Sequence, residues 1–316
     1  MEETSNKTVS VIIVTRGLNN YLNSCLDSLK KQTHPQIEIV VIGNALKDDF
    51  TRGILNDYPR VKLITNPANL FYCGALNKGI ESSRGAFLLC LNDDVILDGY
   101  FIEKAVKGFF VDSRIGMVSG KILRQDAKTL DSTGLFLSPW RSVKERGYGT
   151  RDNGQFQDEG YIFGANGAVA FYRRKMLEQI KEKGNYFDPD FHIFYEDLDI
   201  SWRAQRLGWK GYYVPEAVAY HLRGGTVRTS GGVDKPYARR YLQDNLHADL
   251  IKNRYAAIIK NESVPDFLLH LPCIFLYDLI MWTYILFFKP QQIRMFISNL
   301  RYLKSALAKR DSPKRT

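Results

Sequence analysis

The first hundred residues alternate short apolar runs with amphipathic stretches, and few folds accommodate that rhythm. Residues 22–31 carry leucines at helical spacing, and residues 74–83 are also expected to be helical. The apolar runs around them are 9–15, 37–42, 61–65 and 86–91. Strands that are apolar throughout and alternate with helices are typical of a parallel sheet covered on both faces. The sequence therefore predicts an α/β fold with a doubly wound, mostly parallel sheet and flanking helices.

Polar residues directly follow each predicted strand. In doubly wound sheets ligands bind outside the carboxyl ends of the strands, so these residues are candidates for a binding site. They are Thr15, Arg16, Asn44, Asn66, Asn92, Asp93 and Asp94. Two of them are adjacent carboxylates in a chain with a net charge of +10. Magnesium is often bound by one or two carboxylates together with substrate phosphates, so Asp94 is a candidate metal ligand, and an acidic turn before the next helix is the alternative.

A predicted helix over residues 196–207 begins with an acidic cluster. Glu196, Asp197 and Asp199 lie in its first turn, where the helix dipole favours negative charge. Asp199 can also pair with Arg203 one turn later. Aromatic residues crowd the approach to this helix, and an apolar wall raises the pKa of a carboxyl group toward the range of a general base. We therefore predict that Asp197 is a catalytic base and that Glu196 orients it or contacts the acceptor.

Two further features are weaker. His221 ends a short predicted strand before Gly224 and Gly225, and a neutral imidazole can bind a metal, although a structural histidine is the alternative. Gly74 and Asn77 lie at a predicted helix start, where backbone amides suit a phosphate or a ribose. An ordinary capped turn would explain that segment equally well.

The C-terminal part has a different composition, with a 22-residue apolar run at 267–288. Asp278 in the middle of the run, Pro272 near its start and basic residues on both sides favour helices in the lipid headgroup region over a membrane span. A span, a buried hairpin and a dimer contact are the alternatives. Residues 289–316 contain eight basic residues and one acidic residue, which suits an anionic membrane surface.

Composition also bears on compartment and partners. The four cysteines are scattered through the sequence, which is typical of reduced, structural thiols in the cytosol. Residues 1–8 are polar and lack an apolar signal core, so secretion is not expected. Nucleic-acid binding is not expected either, because aromatic residues are not interleaved with the basic tail.

Several motifs in order resemble the family 2 glycosyltransferases, which have the GT-A fold. They are SVIIVTRG, NLFYCGALNKGI, LNDDVILD, FDPDFHIFYEDLDISWRAQRLGW and VPEAVAYH, within residues 9–225. The segments DSTGLFLSPW, RGYGTRDNGQF and FGANGAVAFYRRKML further resemble the bacterial rhamnosyltransferase branch of that family. The order and spacing of the motifs make the resemblance more specific than any one of them.

The resemblance implies an inverting transfer of a sugar, with Asp197 removing the proton of the acceptor hydroxyl. Asp94 and His221 would bind Mg²⁺ or Mn²⁺, which would stabilise the departing nucleoside diphosphate. Asn92 and Asp93 would lie near the ribose or the sugar of the donor. The implied donor is dTDP-rhamnose, and the implied acceptor is a polyprenyl diphosphate-linked saccharide at the cytoplasmic face of the bacterial inner membrane.

The same resemblance places Trp202 and Arg203 along the site, and a position in the core is the alternative for Trp202. It also implies a catalytic domain at residues 1–225, with an acceptor-side loop region at 124–160. The apolar and basic composition of residues 226–316 makes them the predicted membrane-associating region, where apolar helices could also form a homodimer.

Glycine at position 43 departs from the family pattern, which usually has an aspartate there that contacts the nucleotide. Asn44, Asp48 or Asp49 could compensate, and the nucleobase stays open among dTDP, UDP and GDP. A nucleotidyltransferase would have a longer glycine-rich loop after the first strand. A membrane-bound scaffold with a degenerate site is the alternative from another functional class.

Overall fold

The computed structural model describes residues 8–17, 21–46, 48–222 and 243–310. Its strands are β1 (Val9–Thr15), β2 (Ile37–Asn44), β3 (Lys62–Asn66), β4 (Phe87–Asn92), β5 (Val95–Leu97), β6 (Ile115–Arg124), β7 (Leu130–Ser132), β8 (Leu135–Leu137), β9 (Val143–Glu145), β10 (Gly160–Ile162), β11 (Val169–Arg173) and β12 (Lys210–His221). Its helices are α1 (Tyr21–Lys30), α2 (Asp48–Asp57), α3 (Phe71–Glu81), α4 (Phe101–Gly108), α5 (Arg174–Gln179), α6 (Glu196–Arg206), α7 (Asp244–Asn261), α8 (Val264–Phe288), α9 (Gln291–Ser298) and α10 (Leu300–Arg310).

Most strands of the described residues join one mixed sheet in the order β10-β12-β6-β11-β4-β1-β2-β3. Strands β1 to β4 are parallel to one another, and β12 is parallel to β6. Strand β11 is antiparallel to both β4 and β6, which joins the two parallel groups. The prediction of an α/β fold with a mostly parallel sheet is confirmed.

The sheet separates two apolar layers, and alternate side chains of β1 point into opposite layers. Val9, Val11 and Ile13 belong to one layer, whereas Ile12 belongs to the other. Buried residues of α1 and α4 complete the first layer, and those of α3, α5, α6 and α7 complete the second. Because both faces are covered, the residues of the central strands β1 and β4 are nearly all buried and mostly apolar.

Two predictions about local structure were wrong. The two short strands expected at 211–215 and 217–221 form the single strand β12, with a register shift between Val214 and Val218. Pro215 lies in that interval, and a proline cannot donate to a neighbouring strand, so the irregularity accommodates it. The stretch 124–160 is also less irregular than expected, because it contains β7 to β9 and ends at the start of β10.

The C-terminal helices differ in burial. Helix α7 packs on α6 and contributes buried residues to the core, whereas α8 exposes most of its apolar side chains. Within the described part of the chain, α8 is the one helix long and apolar enough to cross a membrane. The expected boundary at residue 225, and Gly224 and Gly225, lie outside the described residues.

Candidate active site

The carboxyl ends of β1 and β4 meet through a short hydrogen bond. The hydroxyl of Thr15 donates to Asp93 Oδ2 at 2.6 Å, and the backbone N–H of Gly17 donates to the hydroxyl oxygen of Thr15 at 3.1 Å. Burial raises the pKa of Asp93 to about 6, and the neighbouring Asp94 carboxylate adds to the rise. Thr15 opposes this shift by donating to the carboxylate. The turn after β1 is therefore hydrogen-bonded to the acidic pair formed by Asp93 and Asp94.

Asp94 and His221 lie together although 127 positions separate them in the sequence. Strand β5, which follows Asp94 directly, pairs with the end of β12 so that Val95 is opposite His221. The backbone N–H of Leu222 also donates to the Asp94 carbonyl at 2.9 Å. The result is a separation of 3.2 Å between His221 Nε2 and Asp94 Oδ1.

The other ring nitrogen of His221 has a carboxylate partner as well. Asp131 Oδ2 in β7 lies 2.8 Å from His221 Nδ1, and both side chains are buried. Burial alone would lower the pKa of the imidazole, but its hydrogen bonds to Asp131 and Asp94 outweigh that effect and raise the pKa to about 9. The buried histidine is thus placed between two carboxylates.

The pair of Asp94 and His221 fits two ligands of one divalent cation. Ligands about 2.1 Å from a metal at adjacent coordination positions are about 3 Å apart, close to the separation of Oδ1 and Nε2. Among the described residues no group of three or more His, Cys, Asp or Glu side chains could bind a metal. The candidate site thus has two ligands from the residues that the structure describes, and a metal here would take its remaining ligands from water or a bound diphosphate.

A second pair of carboxylates begins α6. Asp197 Oδ2 accepts the backbone N–H of Gly167 at 3.0 Å, and Asp197 Oδ1 accepts that of Leu198 at 2.8 Å. Burial raises the pKa of Asp197, although both N–H donors stabilise its charged form. Burial also raises the pKa of Glu196 to about 8, and the charge on Asp197 adds to that rise. Glu196 therefore retains its proton at neutral pH, while Asp197 is the better stabilised anion of the pair.

Gly167 lies directly against this second pair. A Cβ atom at Gly167 would be 3.1 Å from Glu196 Oε1 and 3.3 Å from Asp197 Oδ2. The next residue, Ala168, accepts the backbone N–H of Asn92 through its carbonyl at 3.0 Å. The dipeptide 167–168 therefore joins the carboxyl end of β4 to the start of α6, and so connects the two pairs of acidic residues.

The loop before α6 has an unusual backbone that α7 supports. His192, Phe194 and Tyr195 have φ angles of 60°, 69° and 66°, which non-glycine residues seldom adopt. The side-chain amide of Asn253 donates to the carbonyls of Phe191, Ile193 and Phe194 at 2.7 to 2.8 Å. Asn253 is fully buried. One residue of α7 thus sets the conformation of the loop that delivers Glu196 and Asp197.

Helix α10 contacts the same loop farther upstream. Lys309 Nζ donates to Asp188 Oδ1 and Asp190 Oδ2 at 2.5 and 2.6 Å, and the hydroxyl of Ser305 donates to Asp190 Oδ2 at 2.6 Å. Lys260 of α7 adds a buried ion pair with Asp188 at 2.8 Å. The C-terminal helices are therefore bonded to the segment that precedes the candidate base.

Two predicted site residues, Arg203 and Trp202, have partners within the protein. The guanidinium of Arg203 is buried, pairs with Asp199 at 2.9 Å and donates to the carbonyls of Ile180 and Tyr186. Trp202 is buried and packs edge-on against Phe163. The structure does not bring the Arg203 guanidinium to Asp197, because these contacts hold it on the α5 side of α6.

Two of the predicted asparagines, Asn44 and Asn77, bond to the backbone. The amide of Asn77 binds the chain at 185–187, accepting two backbone N–H groups and donating to the Phe187 carbonyl at 2.7 Å. The amide of Asn44 binds the turn before α3, accepting the N–H of Leu70 and donating to Asn69 Oδ1. Gly74 lies in the first turn of α3, and Arg16 is exposed after β1. A role of these four positions in donor binding stays a prediction.

Gly43 is close-packed, which bears on its departure from the family pattern. A Cβ atom there would lie 2.4 Å from Leu46 Cδ1. An aspartate at position 43 would require Leu46 to move, so this chain has an apolar contact at that point. The side chains of Asp48 and Asp49 lie outside the described part of the structure.

Sequence reasoning missed Asp131 and Asn253. Asp131 belongs to the DSTG segment, which was noted as a family feature without a role. Asn253 lies in a stretch of mixed polar and apolar residues that gives no sign of its contacts.

Comparison with known proteins identifies the family and the fold. The sequence profile described as Glycosyl transferase family 2 matches residues 10–181, over half of the chain. A poly-beta-1,6-N-acetyl-D-glucosamine synthase of Staphylococcus epidermidis is 22% identical over 73% of this chain and 53% of its own. The chain thus spans about half the length of that relative.

Two other curated relatives are rhamnosyltransferases by name. The N-acetylglucosaminyl-diphospho-decaprenol L-rhamnosyltransferase of Mycobacterium tuberculosis is 23% identical over 67% of this chain and 75% of its own. The O-antigen chain rhamnosyltransferase RfbN of Salmonella typhimurium is 24% identical over 70% of this chain and 68% of its own.

Solved structures share the fold. S. aureus TarS 1-349 in complex with UDP-GlcNAc superposes with a TM-score of 0.61 at 15% identity, covering 95% of this chain and 81% of that one. The mannosyltransferase PcManGT of Pyrobaculum calidifontis, in complex with GDP-Man and Mn²⁺, superposes with a TM-score of 0.56 at 17% identity, covering 99% and 89%. With the GT-A fold and a matching profile over most of its sheet, this chain belongs to glycosyl transferase family 2.

Proposed function

We propose that this glycosyltransferase moves a sugar, with inversion, from a nucleoside diphosphate donor to a polyprenyl diphosphate-linked saccharide. The observation that carries the proposal is the link at residues 167–168. The Ala168 carbonyl accepts the N–H of Asn92 at the end of β4, and the Gly167 N–H donates to Asp197. A candidate metal pair and a candidate base therefore lie at one edge of the sheet, as a displacement between a diphosphate and a hydroxyl requires.

In this proposal Asp197 is the general base. Its two oxygens each accept one backbone N–H, which fixes the carboxylate plane and favours the anion. The acceptor oxygen forms a bond to the anomeric carbon, the bond from that carbon to the diphosphate oxygen breaks, and Asp197 takes the hydroxyl proton. Glu196, with its raised pKa, stays protonated beside the base and can donate to the acceptor.

Asp94 and His221 would bind the divalent cation, Mg²⁺ or Mn²⁺. When bound, such a cation supplies positive charge that stabilises the departing diphosphate. Asp93, tied to Thr15, would lie at the donor side of this pair. Support for a metal comes from the two-ligand fit described above and from the Mn²⁺ in the PcManGT complex.

We favour dTDP-L-rhamnose as donor because two relatives carry rhamnosyltransferase names, one of them with a diphospho-decaprenol acceptor. UDP- and GDP-sugars are the alternatives, since the solved structures that share the fold contain those nucleotides. A thermal-shift screen of the three nucleoside diphosphates with Mg²⁺ tests the choice, because a donor that binds the native state raises its melting temperature.

The decisive activity test compares Asp197→Asn with Asp57→Asn. Asp57 is exposed at the end of α2, outside both acidic pairs and outside the stretch 124–160. Transfer to a synthetic polyprenyl diphosphate saccharide should fall about 10²- to 10⁴-fold in Asp197→Asn, the usual contribution of general base catalysis, and stay near wild type in the control. Wild-type turnover by Asp197→Asn would remove it from the base role.

We further propose that α8 lies flat in the membrane interface at the cytoplasmic face. With 25 residues it is about 37 Å long, enough to cross a hydrocarbon core of about 30 Å. One stripe of the helix, however, contacts the protein along most of that length. The stripe consists of His270, Ile274, Asp278, Trp282 and Ile285.

The contacts of that stripe argue against a span. Arg254 of α7 pairs with Asp278 at 2.5 Å, and Tyr255 accepts the indole N–H of Trp282 at 2.8 Å. A helix that crosses a bilayer would have to bring polar α7 into the hydrocarbon or break these bonds. The charge at Asp278 is neutralised on the protein side, which leaves the opposite side of α8 apolar.

The opposite side suits lipid. Its exposed apolar residues include Leu268, Leu269, Phe275, Leu276, Leu279, Ile280, Leu286 and Phe287. Exposed basic residues follow in α9 and α10, namely Arg294, Arg301 and Lys304. An apolar face with cations beside it binds anionic membrane surfaces.

Sedimentation with anionic vesicles tests this part. Leu269→Ser, Leu276→Ser and Phe287→Ser together should release the protein into the supernatant, whereas Leu55→Ser, an exposed change in α2, should not. Continued sedimentation of the triple variant would place the membrane contact elsewhere. A second copy on the same face would instead give a dimer by light scattering that the triple variant lacks.

A further inference from the structure

Asp131 has no role in the proposed transfer as described so far, yet it is among the most buried carboxylates of the chain. It lies in β7, and its Oδ2 is 2.8 Å from His221 Nδ1. The opposite ring nitrogen, Nε2, lies 3.2 Å from Asp94 Oδ1. The three side chains therefore form one series of contacts, from Asp131 through the imidazole of His221 to Asp94.

The position of Asp131 is set by the sheet and not by the loop around it. Strand β6 pairs with β7 on one side and with β12 on the other, so that Arg124 lies opposite His221. The Arg124 guanidinium approaches Asp131 Oδ1 to 3.7 Å, and the ring of Tyr148 covers it at 4.9 Å. Because its neighbours Arg124 and His221 are both in strands, the Asp131 carboxylate has little freedom to follow the imidazole of His221 if that imidazole rotates.

We propose that Asp131 is a positioning residue that fixes the ring orientation and tautomer of His221. A carboxylate at Nδ1 keeps a proton on that nitrogen, because the alternative tautomer would direct a lone pair at an anion. With a divalent cation in place of the proton between Nε2 and Asp94 Oδ1, the Nε2 lone pair would be directed at the cation, while the Nδ1 proton would stay with Asp131. Asp131 thereby makes Nε2 the metal-binding atom and increases its basicity.

This inference rests on the proposed metal site, and it adds a role for the DSTG segment. The stretch 124–160 was expected to face the acceptor. With Asp131 bound to His221, part of that stretch acts on the donor side, through the metal.

The first test is a double-mutant cycle on metal affinity, measured by Mn²⁺ titration with dTDP present. Asp131→Asn should weaken Mn²⁺ binding ten- to a hundredfold, the usual cost of losing a partner of a metal-binding histidine. In a His221→Ala background the same substitution should have no further effect, because Asp131 then has no ring to orient. Asp152→Asn, in the same stretch, should leave the affinity unchanged.

Three outcomes are informative. An unchanged affinity in Asp131→Asn overturns the inference, and so does an equal loss in both backgrounds, since that would show a general structural effect. Full Mn²⁺ affinity in both His221→Ala and Asp94→Asn would overturn the proposed metal site itself, together with this inference.

A second measurement is made on the unaltered chain, and a variant serves only to assign the signals. The chain has five histidines, and ¹⁵N labelling of their rings allows the nitrogen shifts to be assigned with His221→Ala as reference. With Mg²⁺ and dTDP bound, His221 should show a protonated Nδ1 and an unprotonated Nε2. The reverse pattern would overturn the inference.

Discussion

Replacing Asn253 with leucine should damage both stability and catalysis, by different routes. The side chains are similar in size, so the change removes hydrogen bonds with little change in volume. The two side-chain N–H groups of Asn253 donate to three backbone carbonyls, with N···O distances of 2.7 to 2.8 Å. Because a buried polar group without a partner costs about 1–3 kcal/mol, the loss is about 2–4 kcal/mol once the loop relaxes.

The measurement of stability is thermal unfolding. For a chain of this size each kcal/mol lowers the melting temperature by about 2–4 °C, so Asn253→Leu should melt about 5–15 °C lower. Asn56→Leu is the matched control, since Asn56 is exposed in α2 and its loss should change the melting temperature little.

The catalytic effect follows from the three positive φ angles in the loop. Each such residue costs about 1–3 kcal/mol and persists only where neighbours enforce it, so the loop should relax without Asn253. A displacement of about 1 Å at the base can cost about 10²-fold in rate. We expect kcat to fall while donor affinity is retained, because Asp94 lies at the end of a strand. Wild-type kcat and an unchanged melting temperature would refute this account of the loop.

Three further changes test other contacts. Lys260→Met should destabilise the chain by about 1–3 kcal/mol in urea unfolding, because Asp188 keeps Lys309 and Asp199 keeps Arg203 but both lose a buried ammonium donor, and an unchanged midpoint would contradict that ion-pair network. Gly167→Ala should abolish most transfer while the fold is retained by circular dichroism, since its Cβ would contact the carboxylates of α6; full activity would mean that they shift without consequence. The folded-state pKa of Glu196, about 8, lies above its ordinary value of 4.5, so the contribution of Glu196 to stability is fully present below pH 4.5 and is lost as pH rises to about 8. Glu196→Gln should therefore reduce the fall of the melting temperature with pH over that range. An equal dependence of the melting temperature on pH in both proteins would count against the pKa shift.

The regular elements could be predicted from sequence because their signals are local. The apolar run at 9–15 is β1 without change, and the helix expected over 196–207 ends one residue earlier. The i,i+4 pair of Asp199 and Arg203 was also foreseen, and its distance is 2.9 Å. In each case the residues that determine the element lie within one or two turns of one another.

The remaining features depend on contacts that no local pattern encodes. Arg203 has charge and position suitable for a site, but its partners at Ile180 and Tyr186 come from another segment. Asp131 meets a histidine 90 positions away, and only the pairing of β6 with β7 and β12 brings them together. A carboxylate in an apparent loop gives no sign of such a partner.

The bonds from α10 to Asp188 and Asp190 have a practical consequence. Removing the apolar tail is the usual first step toward a soluble form of an enzyme like this one. Here a chain cut before α8 would also lose Ser305 and Lys309, and with them part of the support for the loop that carries the base. Low turnover in such a shortened enzyme would follow from the loss of these bonds as readily as from the loss of a membrane contact. Solubility is better sought by polar substitutions on the outer face of α8, with α10 kept intact.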